Sequence, residues 1–221
     1  MKIAVIAAMS KELALLLPII KDRNTTVING AEYHTGRIGK HEIVAVKSGI
    51  GKVNSALATQ TLIDVFAPVM VINTGVAGGV GKTRVLDVVI PTKVAYHDVW
   101  CGPGTERGEA VGCPRKFACM IPAEAVESVG AKCGLLASGD IFVSTPAEVE
   151  RILEVYPDAV AVDMESAAIA QVCYLRGVPF GCIRVISDTP GAEDNISQYE
   201  TFWEDAPQAT FATLTKIIEK L

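Results

Sequence analysis

The stretch AVAVDMESAAIAQVCYLRGVPFGCIRVISD, Ala159 to Asp188, constrains the fold more than any other part of the chain. Ala159 to Val162 is a short apolar run that stops at Asp163-Met164-Glu165. Ala167, Ala168, Ile169, Ala170, Val172 and Cys173 then suit a buried helix from Ser166 to Leu175, which Gly177 and Pro179 bring to an end. Phe180 to Ile186 is a second apolar run, interrupted by Arg184 and finished by Ser187-Asp188. Two buried strands joined by a crossover helix predict a parallel βαβ unit. In open parallel sheets ligands bind beyond the carboxyl ends of the strands. Glu165 and Asp188 are therefore expected on one rim, facing one crevice.

The other regions read as support for that crevice. With 221 residues, half of them hydrophobic and a fifth charged, the chain suits one α/β domain with a central mixed, mostly parallel sheet flanked by helices. A net charge of −5 with scattered Lys and Arg argues against a nucleic-acid surface. No stretch approaches the roughly 20 apolar residues of a membrane span. The start, MKIAVIAAMSKEL, has an apolar run too short for a secretory signal and meets an acid at Glu12, so it reads as a first core strand. Six cysteines show neither a CxxC pair nor metal-ligand spacing, which points to a reducing, cytoplasmic setting and no metal site.

Taken in order, Lys2 to Ala7 is a strand, and a helix follows through Ile20 with Ser10 as its N-cap and Glu12 in its first turn. A surface Glu favoured by the helix dipole is the plain alternative for Glu12. Thr25–Gly36 and His41–Lys47 suit antiparallel strands about the turn Ile38-Gly39-Lys40. Ser48-Gly49-Ile50-Gly51-Lys52 leads into a helix from Val53 to Phe66. Its free N–H groups suit an anion, though a tight turn needing glycine is the better local reading. Val69 to Asn73 is a strand, and Thr74 to Val80 a small-residue loop against which a ligand can lie. Val85–Pro91 and Lys93–Tyr96 are further strands, followed by His97, read as a hydrogen-bonded structural residue rather than a catalytic one. Residues 99–122 are irregular, Ala123–Cys133 and Glu148–Val155 helical, and Leu135–Ser138 a strand ending at Gly139-Asp140-Ile141-Phe142-Val143. Thr189 to Ser197 is polar and turn-rich. Tyr199 to Leu221 closes the chain as an amphipathic helix carrying Phe202, Trp203, Phe211, Leu214, Ile217 and Ile218.

Three carboxylates at strand or helix ends, beside small-residue backbone and an aromatic, suit cleavage of a glycosidic bond. Two carboxyl groups can divide the acid and base roles around an oxocarbenium-like transition state. A purine leaves more readily once its ring is protonated, and a shielded Asp can hold the proton required. A second carboxylate activates water and a third holds ribose hydroxyls, with neither metal nor redox cofactor needed.

MKIAVIAAMSKE, KSGIGKVNSA, VINTGVAGG, YHD, GCP, SGDIFV, VDMESAAIA and RVISD occur in the order and spacing of the 5′-methylthioadenosine/S-adenosylhomocysteine nucleosidases. The chain resembles that family, part of the nucleoside phosphorylase superfamily, over essentially its whole length. The resemblance implies a nucleoside phosphorylase-like fold and hydrolysis of the N-glycosidic bond of an adenine nucleoside. By match to the family's motifs, Glu12 would activate water. Asp188, oriented through Ser187, would protonate N7, and Glu165 would bind the ribose hydroxyls. Met164 and Met9 would line the sugar, Phe142 would stack on the purine, Val143 would meet its edge, and Gly78 would form the floor. Tyr199 matches an aromatic of the family's flap. The resemblance also implies a homodimer. Two departures stand out: Val76 occupies a position where relatives often carry Ser, and Trp100–Val111 is more polar than the family's apolar lobe around the 5′-alkylthio group.

Three readings stay open beside this one. A phosphorylase would need dedicated cations for phosphate, and only Lys11 stands near Glu12; Arg184, inside a buried strand, suits pairing with an acid. A nucleosidase for a different purine nucleoside is compatible with the departures. A non-catalytic nucleoside-binding protein would have little need of all three acids.

Overall fold

The computed structural model describes the backbone of residues 1–205 and 207–221, and side chains outside 204–212. The first third of the chain gives β1 (Lys2–Ala7), α1 (Ser10–Leu16), β2 (Lys21–Ile28), β3 (Ala31–Ile38), β4 (His41–Lys47) and α2 (Lys52–Phe66). The middle gives β5 (Met70–Gly79), β6 (Val88–Val89), β7 (Lys93–Tyr96), β8 (Phe117–Ala118), α3 (Ala123–Glu127) and β9 (Leu135–Ser138). The last third gives α4 (Pro146–Val155), β10 (Ala159–Asp163), α5 (Ser166–Arg176), β11 (Phe180–Asp188), α6 (Asn195–Asp205) and α7 (Pro207–Lys220).

The strands form one mixed sheet in the order β2-β3-β4-β1-β5-β10-β9-β7-β8, with β11 beside β5 and β6 beyond β11. Parallel ladders join β4, β1, β5 and β11, and separately β10, β9 and β7. Strand side chains alternate between faces, and β1 is apolar and buried from Ile3 to Ala7 because both of its faces are covered. Ile3, Val5 and Ala7 join Leu13 and Leu16 of α1 with Leu214, Ile217 and Ile218 of α7. Ala4 and Ile6 join Leu62 and Ile63 of α2 with Ala167 to Ala170 of α5. Each buried Ile or Leu contributes about 1.5–3 kcal/mol, so these two layers hold the sheet centre fixed.

Strand β5 organises what lies above that core. Along one edge it pairs in parallel with β11 from Val71 to Gly78. Along the other it pairs with β1 at Met70–Asn73 and, antiparallel, with β10 at Gly78 and Gly79. Thr74 to Ala77 thus have no strand beside them on that second edge. The expected parallel βαβ unit is corrected here: β10 and β11 flank β5 and approach it from opposite directions. Their ends still converge, because Val162 and Asp188 are both register partners of Gly78.

Other boundaries shift for local reasons. Thr74–Val80 is strand through Gly79, not loop, because β11 pairs along it. Pro18 shortens the first helix to Leu16, with a 3-10 turn at Leu17–Ile19. The expected strand Thr25–Gly36 is two strands, turned at Asn29-Gly30, both with positive φ. A turn at Arg84–Asp87 reduces the expected strand Val85–Pro91 to Val88–Val89. The helix expected to reach Cys133 stops at Glu127, followed by turns through Gly130 at positive φ. The closing helix is two, α6 starting at Asn195 and α7 at Pro207; Phe211 lies outside the described side chains.

Candidate active site

Glu12 reaches its position because α1 begins one residue earlier than the Ser10 cap predicted: Met9 is the capping position. The Glu12 carboxylate folds back over the helix start, its Oε2 accepting from the N–H groups of Ala8 and Met9 at 2.9 Å each. Its Oε1 accepts from the Val76 N–H at 2.9 Å, on the bare edge of β5. Only 2% exposed, Glu12 is no surface acid. Burial raises its pKa above the ordinary value, opposed by the Arg184 charge and the three N–H groups. Gly75, at φ +156°, makes this approach possible: a Cβ there would strike Glu12 Oε1 and come within 2.8 Å of Arg184 Nη1.

Arg184 is 1% exposed and pairs with an acid, Asp163, as its place within a strand suggested. Its guanidinium also donates to Asn73 Oδ1 and to Ser166 Oγ, the latter at 3.1 Å. Glu165 Oε2 lies 4.0 Å away. A buried ion pair is tolerable when its remaining donors are matched, and Asn73 and Ser166 supply the match. Glu165 Oε1 accepts from the Gly51 N–H at 2.9 Å. Burial, then the neighbouring Asp163 charge, raises the Glu165 pKa, with Arg184 and the Gly51 N–H opposing.

The Ser48–Lys52 loop therefore offers no free anion site. Gly51 N–H goes to Glu165 and Lys52 N–H to Asp140 Oδ1 at 2.8 Å. The tight-turn reading holds, with Gly49 and Gly51 both at positive φ.

Asp188 ends β11, with Ser187 Oγ donating to its Oδ1 at 2.6 Å and Asn195 Nδ2 to its Oδ2. Burial raises its pKa, against the pull of those two hydrogen bonds. Above it, the Phe142 and Tyr199 rings meet edge to face, 5.7 Å between centroids, and Tyr199 packs likewise on Trp203. Tyr199 O–H reaches Met9 Sδ at 3.3 Å.

All ten residues singled out in the sequence line one cavity that opens to solvent. They are Met9, Glu12, Gly78, Phe142, Val143, Met164, Glu165, Ser187, Asp188 and Tyr199. Val76, Ala77, Ile50 and Ile141 add apolar lining, and among the described residues the lining includes neither Lys nor Arg. His97 is absent from it. Its Nε2 is buried without a hydrogen-bond partner among the described residues, unlike the bonded histidine expected. Sequence reasoning missed the supporting polar groups Asn73, Ser166, Gly51 and Asn195. Asn73 and Ser166 carried a signal, as lone polar residues at the ends of apolar runs; Asn195, in a turn-rich tail, carried none.

The chain is similar to known proteins over its whole length. Residues 2–219 match the phosphorylase superfamily. The 5′-methylthioadenosine/S-adenosylhomocysteine nucleosidase of Geobacillus sp. (strain WCH70) is 40% identical, covering 100% of this chain and 99% of the relative. That of Geobacillus thermodenitrificans (strain NG80-2) is 43% identical over 93% of this chain and 91% of its own length. The crystal structure of the Streptococcus pneumoniae MTA/SAH nucleosidase in complex with 8-aminoadenine superposes with a TM-score of 0.95, at 38% identity and 100% coverage of both chains. The chain thus belongs, within the phosphorylase superfamily, to the family of 5′-methylthioadenosine/S-adenosylhomocysteine nucleosidases.

Proposed function

We propose that this protein hydrolyses the N-glycosidic bond of adenine nucleosides, 5′-methylthioadenosine and S-adenosylhomocysteine, releasing adenine and the 5-thio-substituted ribose. The observation that carries this reading is the convergence of Glu12, Glu165 and Asp188 on one cavity with an aromatic wall and, among the described residues, no lining cation. Phosphate would need Arg or Lys at hand, and Arg184 is already engaged by Asp163.

The adenine stacks on Phe142 with its N7 toward Asp188, and Glu165 accepts from the ribose hydroxyls. As the C1′–N9 bond breaks, its electron pair moves to the purine and Asp188 gives its proton to N7. Glu12 takes a proton from water as the water oxygen bonds to C1′. An ionised carboxylate has about four acceptor sites; three on Glu12 are taken by backbone N–H groups, and water takes the fourth. Glu12 then returns its proton through solvent and Asp188 regains one. Both carboxyls sit above their ordinary pKa, which suits a base and an acid working near neutrality.

The protein acts as a homodimer in this reading. Val53, Leu57 and Val65 form an exposed apolar stripe along α2, beside Tyr174 and Leu175 of α5, and a patch of that kind marks an interaction surface. Sedimentation velocity should give twice the chain mass, and Leu57→Asp should give monomer. Six free thiols fit a cytoplasmic location. The activity itself is tested by incubating pure protein with methylthioadenosine, adenosylhomocysteine, adenosine and inosine, with and without phosphate, and identifying the sugar. Free thio-ribose formed independently of phosphate supports hydrolysis; ribose-1-phosphate overturns it.

A further inference from the structure

Asn195 opens α6 directly after the Thr189–Asp194 turns, whose backbone is held by Ala192 N–H on Thr189 O and Asn195 N–H on Ala192 O. It does not line the cavity. Its side chain is buried, 2% exposed, and its Nδ2 donates to Asp188 Oδ2. Its Oδ1 is buried with no partner among the described residues. A buried polar atom left unmatched in this way calls for a functional or structural account. Among the described residues the only ionisable group bonded to the Asn195 side chain is Asp188, which must carry a proton at one point of turnover and lose it at another.

An amide is suited to such a neighbour. Its NH₂ donates to an ionised carboxylate, and after a half-turn about χ2 its oxygen accepts from the protonated acid. Ser187 holds the other oxygen, Oδ1, and its hydroxyl likewise both donates and accepts. We propose that Asn195 is a positioning residue for the general acid, meeting Asp188 through Nδ2 when the carboxyl is ionised and through Oδ1 when it is protonated. This ties the acid's proton to the seat of α6, the helix that also carries Tyr199 over the cavity.

The other groups around Asp188 leave this role to Asn195. Glu12 from α1 and Glu165 from the turn after β10 share the cavity and are tied to backbone N–H groups of their own. Tyr199, the ionisable group of α6 facing the cavity, turns its hydroxyl to Met9. Arg184, on the same strand as Asp188, is bound to Asp163. The flanking β5 residues, Ala77 and Gly78, bring no charge.

This inference rests on the hydrolytic reading, so adenine release by the wild type is measured first; failure there sinks that reading, and failure here shows only in variants. Asn195→Leu keeps the bulk and removes both polar ends. It is expected to lower kcat about 10- to 100-fold with KM within about threefold. The basic limb of the kcat/KM profile should move up by about one pH unit, because the charge-assisted donor lost from the ionised form of Asp188 outweighs the acceptor lost from its protonated form. Asn195→Ser, which retains a donor and an acceptor, should recover much of kcat and bring the limb back toward wild type. An unmoved limb in a folded Asn195→Leu, or a KM that rises as far as kcat falls, would overturn the proposal in favour of a residue that merely seats α6. If the Leu variant does not fold, Asn195→Ser decides alone: a wild-type limb with kcat nearly intact supports the proposal, and a large loss of kcat overturns it.

Discussion

At the scale of single residues, the site is a group of carboxylates that the protein keeps from behaving alike. Asp188 has two side-chain donors and no cation, Glu12 has three backbone donors, and Glu165 shares Arg184 with Asp163. Asp188→Asn should lower kcat by about 10²–10⁴ while adenine binding, followed by calorimetry, persists, since the lost step is proton donation. Asp163→Asn tests the sharing. With its counter-ion neutralised, Arg184 should favour the ionised forms of Glu12 and Glu165 more strongly. The base then stays deprotonated to lower pH, so the acid limb of kcat/KM should move down. A limb that stays in place would reduce Asp163 to a structural partner.

At the scale of elements, the bare edge of β5 does the positioning. Thr74–Ala77 lie between the end of β1 and the start of pairing with β10, and there Val76 N–H is free to meet Glu12. Gly75→Ala would push a methyl into the contact between Glu12 and Arg184. Turnover should fall by about 10²-fold, as expected for displacement of a catalytic group by about 1 Å, and melting should show a lower Tm. The sequence disclosed the acids at their strand and helix ends, and the family motifs gathered Met9, Phe142, Val143 and Tyr199 with them. It did not disclose the antiparallel β10. An apolar run of four residues carries no mark of direction, and pairing partners are settled by register with a strand some 80 residues earlier in the chain. Nor did it disclose that Glu165 would take the Gly51 N–H, because that contact spans two loops. The cap expected at Ser10 falls on Met9 instead, whose N–H the Glu12 side chain takes from within the first turn.

At the scale of the molecule, the site opposes the stability of the fold that holds it. A carboxyl whose folded pKa is raised favours folding below its unfolded pKa, and that advantage is lost as pH rises through the folded pKa. Glu12, Glu165 and Asp188 are all raised, so each detracts from stability wherever it is ionised in the fold. Glu165→Gln should therefore raise Tm above pH 7, by roughly 2–4 °C for each kcal/mol recovered. The gap should close as pH falls toward the ordinary Glu range. A constant gap across pH would mean that charge is not its source. Stability given up at a working site is common among enzymes.

Because Val162 and Asp188 share Gly78 as register partner, the ladder acts as a ruler between the Glu165 and Asp188 sides of the cavity. Loops such as 99–115 are free to lengthen or shorten over evolutionary time without altering that measure. A single residue inserted between Asn73 and Gly78 would turn every later side chain of the strand to the opposite face and carry the two ends out of step. Descendants of this chain are thus expected to keep that spacing whatever their surface loops become.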